Sequence, residues 1–244
     1  MLLRFLYRGL RARWRDQRAE IGALVSAIRP GDVAVDVGAN KGSFLPSLSW
    51  AAGSGRVVAF EPQPALAEYL RRACRATRLT NVVVEASGVS DRAGSLTLHV
   101  PGAGGSSPGA SFEPAVAALS SGRGVEVPVV TLDEYFRGEA RRIAAIKVDV
   151  EGHELAVLRG AEAILESHAP LVVFECEARH AGVEGLRAAL AFFAERGYGG
   201  WFVRRGRLVS MNEFDSSVHQ NQSAGRFWDA SGYCNNFVMR KGRG

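Results

Sequence analysis

Two short stretches hold most of the residues whose types and spacing could do chemistry. "VAVDVGANKGSF" (Val33 to Phe44) sets Asp36 near the end of an apolar run and follows it with Gly38, Asn40 and Gly42, while "KVDVEGHE" gathers Lys147, Asp149, Glu151, His153 and Glu154. A strand that ends in a tight glycine turn before a helix offers free backbone N–H groups and the positive end of the helix dipole to a ligand. The spacing D-x-G-x-x-x-G departs from the G-x-G-x-x-G dinucleotide fingerprint, which counts against NAD. An aspartate there would repel a pyrophosphate and suits a cation such as the amino group of a methionyl moiety. Glu61 ends the next apolar run, where a carboxylate can accept hydrogen bonds from both hydroxyls of a ribose. Together these residues point to S-adenosylmethionine.

The second stretch supplies the candidates for the reaction itself. Methyl transfer to an alcohol requires an oriented acceptor oxygen and a group that takes its proton. Asp149, His153 and Glu175 are the candidate catalytic residues. Asp149, Glu151 and Glu175 also form a candidate oxygen-ligand set for Mg²⁺, with Glu177 nearby on the same strand end. Glu154 has a rival role, since an acid in the first turn of a helix favours its dipole. Lys147 lies inside an apolar strand and needs a carboxylate partner if it is buried. The stretch Glu213 to Tyr233 mixes amides and aromatics; His219, Gln220, Asn221 and Trp228 are candidates to bond and stack on a sugar.

These residues need a scaffold, and the apolar pattern describes one. "VAVDVG", "RVVAFEP", "NVVVEAS", "IAAIKVDV" and "PLVVFECE" are short apolar runs separated by segments with helical spacing, as in "ALAEYLRRACRAT". Fully apolar strands alternating with helices predict an α/β, Rossmann-like, mostly parallel sheet covered on both faces. About seven strands are expected, the last two within "GGWFVRRGRLVSM" and "CNNFVMRK". After the third strand the pattern changes to alternating strands around a Gly/Ser-rich loop, which predicts a β/loop insertion. Residues 1–30 read as a basic amphipathic helix, and residues 31–244 as a single domain.

On a helical wheel Arg4, Arg8, Arg11, Arg15 and Arg18 form one stripe of that first segment, and Leu3, Leu6, Leu10 and Trp14 another. The apolar stripe could dock on the domain, or the helix could lie on anionic lipid headgroups. The apolar run is too short and too arginine-rich for a signal peptide or a spanning helix, so a cytoplasmic protein, with peripheral membrane contact through residues 1–18 as an option, is expected. The chain has 244 residues, 47% of them hydrophobic, with a formal charge of +5, enough to bury one sizeable core. Cys74, Cys176 and Cys234 are odd in number and far apart, which excludes a disulfide framework. No aromatic-basic recognition motif accompanies the positive charge, so nucleic acid is not an expected partner.

The blocks "VDVGANKGSF", "GRVVAFEPQPALAEYL", "NVVVEASGVSDRAGSLTLHV", "VPVVTLDEYF" and "IKVDVEGHELAVLRGAEAILE" occur in an order that resembles the FkbM-type methyltransferases. The resemblance runs from about Gly31 to Glu175. It implies a class I, S-adenosylmethionine-dependent methyltransferase fold and O-methylation of a sugar or polyketide-type product, including glycolipids and other secondary metabolites. Carried over by position, Asp36, Gly38, Asn40 and Gly42 match the cofactor turn and Glu61 the ribose-binding acid. Ser87 and Gly88 match the region beside the adenine, and Asp149 ends the strand next to the methyl group. The chain departs from the family pattern in the loop that reads "ASFEP". A polyketide hydroxyl or RNA as acceptor, a non-catalytic scaffold that binds the cofactor for a partner enzyme, and an NAD-dependent oxidoreductase are the competing readings.

Overall fold

The computed structural model describes residues 2–102, 107, 109–113, 122–222 and 232–242. The chain begins with α1 (Leu2–Arg11), a π-helical turn (Ala12–Asp16) and α2 (Arg18–Ala27). An alternating series follows: β1 (Val33–Val37), α3 (Leu45–Ala52), β2 (Arg56–Phe60), α4 (Pro64–Thr77) and β3 (Val82–Glu85). The insertion comprises β4 (Gly88–Val89), β5 (Gly94–Pro101) and β6 (Gly122–Val130). The alternation resumes with α5 (Leu132–Tyr135), β7 (Ile143–Val148), α6 (Glu154–Arg159), α7 (Glu162–Ser167), β8 (Leu171–Glu175) and α8 (Ala178–Glu195). It closes with β9 (Tyr198–Arg204), β10 (Arg207–Ser210), a 3₁₀ turn (Met211–Glu213), α9 (Ser216–His219) and β11 (Asn236–Lys241).

The main sheet has eight strands in the order β10-β9-β11-β8-β7-β1-β2-β3. The run from β8 to β3 is parallel, and β11, β9 and β10 pair antiparallel at the other end. The eighth strand corrects the expected count: "GGWFVRRGRLVSM" is two strands, because Arg205 and Gly206 both adopt positive φ (50° and 71°). A two-residue turn with both φ values positive matches the twist of the strands it joins and makes a hairpin. The insertion forms a separate three-stranded sheet, β4-β6-β5.

Strand parity divides the core. Val33, Val35 and Val37 face one side with Leu158, Leu165, Leu186 and Phe193 of the later helices, whereas Ala34 faces the other with Ile21, Leu24, Leu48 and Leu70 of the earlier ones. Both faces are therefore dry, which is why these strands carry so few polar residues. Asp36 shares the parity of Ala34, and its register partner on β7 is Lys147. The sequence pattern thus places one acid and one base at a depth where neither tolerates isolation.

The first helix docks differently from expectation. Phe5, Gly9 and Ala12 are buried, while Leu3, Leu10 and Trp14 are 81%, 46% and 67% exposed. Close approach to α3 explains the choice: a Cβ on Gly9 would lie 2.8 Å from Cγ of Pro46. A small residue permits that contact where Leu would not. All three cysteines are buried and unpaired. Among the described residues, no helix is long and apolar enough to cross a membrane.

Candidate active site

A cavity opens at the carboxyl ends of the parallel strands, lined among others by Gly38, Asn40, Glu61, Asp149, Glu151 and Glu175. Open α/β sheets bind ligands in this crevice, outside the strand ends where neighbouring helices leave in opposite directions. Leu98, Ala110 and Phe112 of the insertion form its far wall. Gln63 fastens that wall, since its Nε2 donates to the carbonyl of Ser107 (3.0 Å) and its Oε1 accepts from the Ser107 N–H (2.8 Å).

The turn after β1 is shaped by close approach. Gly38 has φ +75°, and a Cβ there would sit 1.9 Å from the backbone oxygen of Asp149. Asn40 also has positive φ (48°), a conformation its short polar side chain tolerates better than most. Its N–H donates to Glu61 Oε2 at 2.7 Å, and the Gln63 N–H donates to Oε1 at 2.9 Å. Each Glu61 oxygen therefore keeps lone-pair capacity toward the cavity. Burial pushes the Glu61 carboxyl up to about 7, against the lowering effect of those two N–H groups. Gly42 faces the other way: a Cβ would meet Phe5 and Leu70 at 2.7 and 2.8 Å, so α1 closes the back of the turn.

Asp36 lies behind the cavity rather than in it. It is fully buried, and the cation it meets is Lys147, 3.3 Å from Oδ1; among the described residues neither carboxylate oxygen has an aligned hydrogen bond. Lys147 Nζ also lies 3.3 Å from Asp149 Oδ2, donates to the Gly38 carbonyl at 2.8 Å, and stands over the Phe44 ring. Burial alone would lower the Lys147 pKa; the charges of Asp149 and Asp36 outweigh it and raise it. Burial likewise raises Asp36, partly offset by Lys147. The lysine is thus a charged internal brace between β1, β7 and the glycine turn at the cavity rim.

The acids split into different roles. Asp149 lines the cavity and has 32% of its side chain exposed. Glu175 is raised well above its ordinary value by burial and then by the charges of Asp149, Glu151 and Glu177. Glu177, two residues on, is lowered: hydrogen bonds from Arg179 and Asn235 overcome its burial. Asn235 Nδ2 donates to both acids (2.8 and 2.9 Å), Arg179 forks onto Glu177 (2.8 and 3.1 Å), and the Tyr233 hydroxyl donates to Glu177 at 3.0 Å. Sequence reading missed Asn235 and Arg179 and took Tyr233 for a sugar-stacking ring; the i, i+2 acids of "ECE", on one face at a strand end, were the available signal.

The remaining candidates sit elsewhere. His153 has both ring nitrogens engaged, with Glu113 (2.7 Å) and Ser90 (3.0 Å), beside the Phe112 ring, outside the cavity lining. With both nitrogens engaged by Glu113 and Ser90, this arrangement gives its expected role as a base no support. Ser87 lies in the bend between β3 and β4, and Gly88 packs on Phe112 with no room for a Cβ; neither lines the cavity. His219 and Gln220 are buried. His219 Nδ1 accepts from the Asp215 N–H, and Gln220 bonds the backbone of Ala178, Cys176 and Cys234, so both satisfy internal chain ends rather than an acceptor. Asn221 is exposed next to them, and Trp228 lies outside the described residues.

The Mg²⁺ expectation finds no assembled cage. Glu151 is paired with His180 Nδ1 (2.8 Å), Asp149 with Lys147, and Glu175 with Asn235. Among the described residues, no group of three or more His, Cys, Asp or Glu side chains is arranged to hold a metal.

Comparison with known proteins agrees with this geometry. The profile of the methyltransferase FkbM domain matches residues 36–199. A hexuronic acid methyltransferase, AglP of Haloferax volcanii, is 33% identical over 194 residues, 74% of this chain and 72% of that protein. A methyltransferase FkbM crystal structure from Methylobacillus flagellatus superposes with TM-score 0.51 at 17% identity over 96% of this chain, which spans 53% of that protein's length. A Streptococcus mutans protein solved in complex with S-adenosylhomocysteine (SAH) matches with TM-score 0.53 at 10% identity, over 93% of this chain and 98% of that one. These solved structures share the class I fold, in which the parallel strand ends form the ligand crevice. The chain belongs to the FkbM family of methyltransferases.

Proposed function

We propose that this protein binds S-adenosylmethionine at the Gly38–Asn40–Glu61 rim and transfers its methyl group to a hydroxyl of a sugar, in a glycoside, glycolipid or related secondary metabolite. One observation carries the reading: the Asn40–Glu61 rim and the acids Asp149 and Glu175 converge on a single cavity. The donor set fits the cofactor, because Glu61 presents carboxylate lone pairs for a ribose diol while its other lone pairs are fixed by backbone N–H groups. The likeness to a hexuronic acid methyltransferase supports a sugar as acceptor.

S-Adenosylmethionine, when bound, supplies a methyl carbon made electrophilic by its sulfonium sulfur. The chain's own task is to orient a hydroxyl toward it and remove the proton. Asp149 is placed for the second role, since its carboxylate reaches the cavity and Lys147 fixes its orientation. Glu175, also in the cavity lining, is a second polar group toward the acceptor and would donate a hydrogen bond to it when protonated. Asn235 Nδ2 donates to both Glu175 and Glu177 and so fixes how the two carboxyl groups are turned.

Calorimetric titration with SAH tests the cofactor half. Micromolar binding by the intact protein is expected, with affinity falling below about pH 7 as Glu61 takes up its proton. Glu61→Gln should bind more weakly by about 1.5–3 kcal/mol and show no such pH dependence. Absence of binding by a folded wild type overturns the reading. Transfer assays over uronic acids, neutral glycosides and non-sugar alcohols test the acceptor half, and methylation confined to the non-sugars removes the sugar assignment.

A further inference from the structure

The first helix docks one face and leaves a second apolar face uncovered. Phe5, Gly9 and Ala12 pack inward against α3 and the cofactor turn. Leu3, Tyr7, Leu10 and Trp14 repeat at i, i+4, i+7 and i+11 and stand outward, 81%, 66%, 46% and 67% exposed. Four large side chains in one exposed stripe are more than the scattered apolar residues that water ordinarily sees.

Charge distinguishes what covers the stripe. The first 18 residues hold six arginines and one acid, Asp16; the chain holds 30 basic and 25 acidic residues, so the remaining 226 carry 24 of each. The whole net charge of +5 therefore resides on this segment. Arg4, Arg11 and Arg15 are exposed, and Arg11 and Arg15 share Asp16 (2.7 and 3.8 Å). Arg8 reaches inward to the Lys41 carbonyl at 3.0 Å, tying the helix to the cofactor turn.

We propose that α1 and the turn after it lie on an anionic lipid bilayer, with Leu3, Tyr7, Leu10 and Trp14 entering the headgroup boundary and the flanking arginines on the phosphates. Tyr and Trp suit that boundary because their rings are apolar and their N–H and O–H tips are wet. Leu burial at the acyl edge and arginine attraction to anionic lipid act together, as in other amphipathic helices that lie in the interface plane. A second apolar surface would satisfy the leucines but leaves the segment's net charge of +5 without a counter-charge. The rigid seat of Phe5 on Gly42 keeps the lipid surface close to the cofactor turn.

The test is co-sedimentation of the intact protein with vesicles of phosphatidylglycerol and phosphatidylcholine, against phosphatidylcholine alone. Binding is expected to the anionic vesicles only, reversed by high salt, with a blue shift of fluorescence that Trp14→Phe removes. Leu10→Glu with Trp14→Glu should lower the partition more than tenfold, and Arg4→Ala or Arg15→Ala about fivefold each. These side chains are exposed, so SAH binding and the melting temperature of each variant should match the wild type and show that it is folded. Intact protein left in the supernatant with anionic vesicles overturns the proposal. So does equal binding to uncharged vesicles, or a dimer in solution that Leu10→Glu dissociates, which would assign the stripe to a second copy of this chain.

Discussion

The buried ammonium of Lys147 donates to the carbonyl of Gly38 at 2.8 Å, joining the middle of the sheet to the turn that lines the cavity. A lysine 109 positions away in sequence thus shapes the site without lining it. Its removal leaves Asp36 with a buried charge and no cation. Lys147→Met should destabilise the fold by about 3–5 kcal/mol, the usual cost of stranding one partner of a buried pair. Adding Asp36→Asn should recover a large part of that loss. Denaturant unfolding of the single and double variants measures both, and a double variant no more stable than Lys147→Met would remove the ion pair from the account.

Gly38 makes a sharper prediction. Alanine there meets two penalties, a positive φ and a Cβ 1.9 Å from a backbone oxygen that no rotamer can move. Relief requires β1 and β7 to separate at the point where the ligand binds. Gly38→Ala should lower SAH affinity by at least a hundredfold, about 2.7 kcal/mol, with the main sheet still folded by circular dichroism. Wild-type affinity in a folded Gly38→Ala protein would show that the turn is looser than drawn.

Glu154 ties stability to pH. It is buried, and its Oε1 accepts from the Gly152 N–H. Burial, opposed by backbone hydrogen bonds, raises its pKa from 4.5 to about 7. The native state therefore binds this proton more tightly than the unfolded chain. Its contribution to stability is full below about pH 4.5 and is lost as pH rises through about 7. Across that window the loss attributable to this group is on the order of 3 kcal/mol. Glu154→Gln should flatten that part of the stability profile, measured by melting temperature from pH 4.5 to 8. An unchanged slope would assign it to the other raised acids, Glu61 and Glu175.

The parallel core was legible because its strands are buried on both faces and read as continuous apolar runs. The convergence of Gly38, Asn40 and Glu61 on one cavity rim was legible too, because they lie within one βα unit and their spacing is local. What stayed hidden depends on contacts between distant segments. Asp36 read as a ligand-facing acid because its cation, Lys147, sits on another strand. His219 and Gln220 read as sugar-binding groups, yet they are spent on backbone amides and carbonyls of Asp215, Cys176 and Cys234. The docked face of α1 was hidden for a different reason. Wheel reading favours Leu and Trp, whereas close packing selected Phe5 with the small Gly9 and Ala12.

The choice of proton acceptor follows from how the two strongest candidates are held. His153 is clamped between Ser90 and Glu113, and its ring packs on Phe112 away from the cavity. Asp149 keeps part of its carboxylate open to the cavity and is oriented by Lys147 from behind. General base removal costs roughly 10²–10⁴ in rate. Asp149→Asn should lose that much in kcat for methyl transfer while SAH affinity changes little. His153→Ala should cost about 1 kcal/mol of stability from its lost hydrogen bonds and less than tenfold in kcat. Single-turnover kinetics at saturating cofactor separates the two. A large kcat loss in His153→Ala with a mild one in Asp149→Asn would mean that the loop carrying Glu113 rearranges to free the imidazole when the acceptor binds.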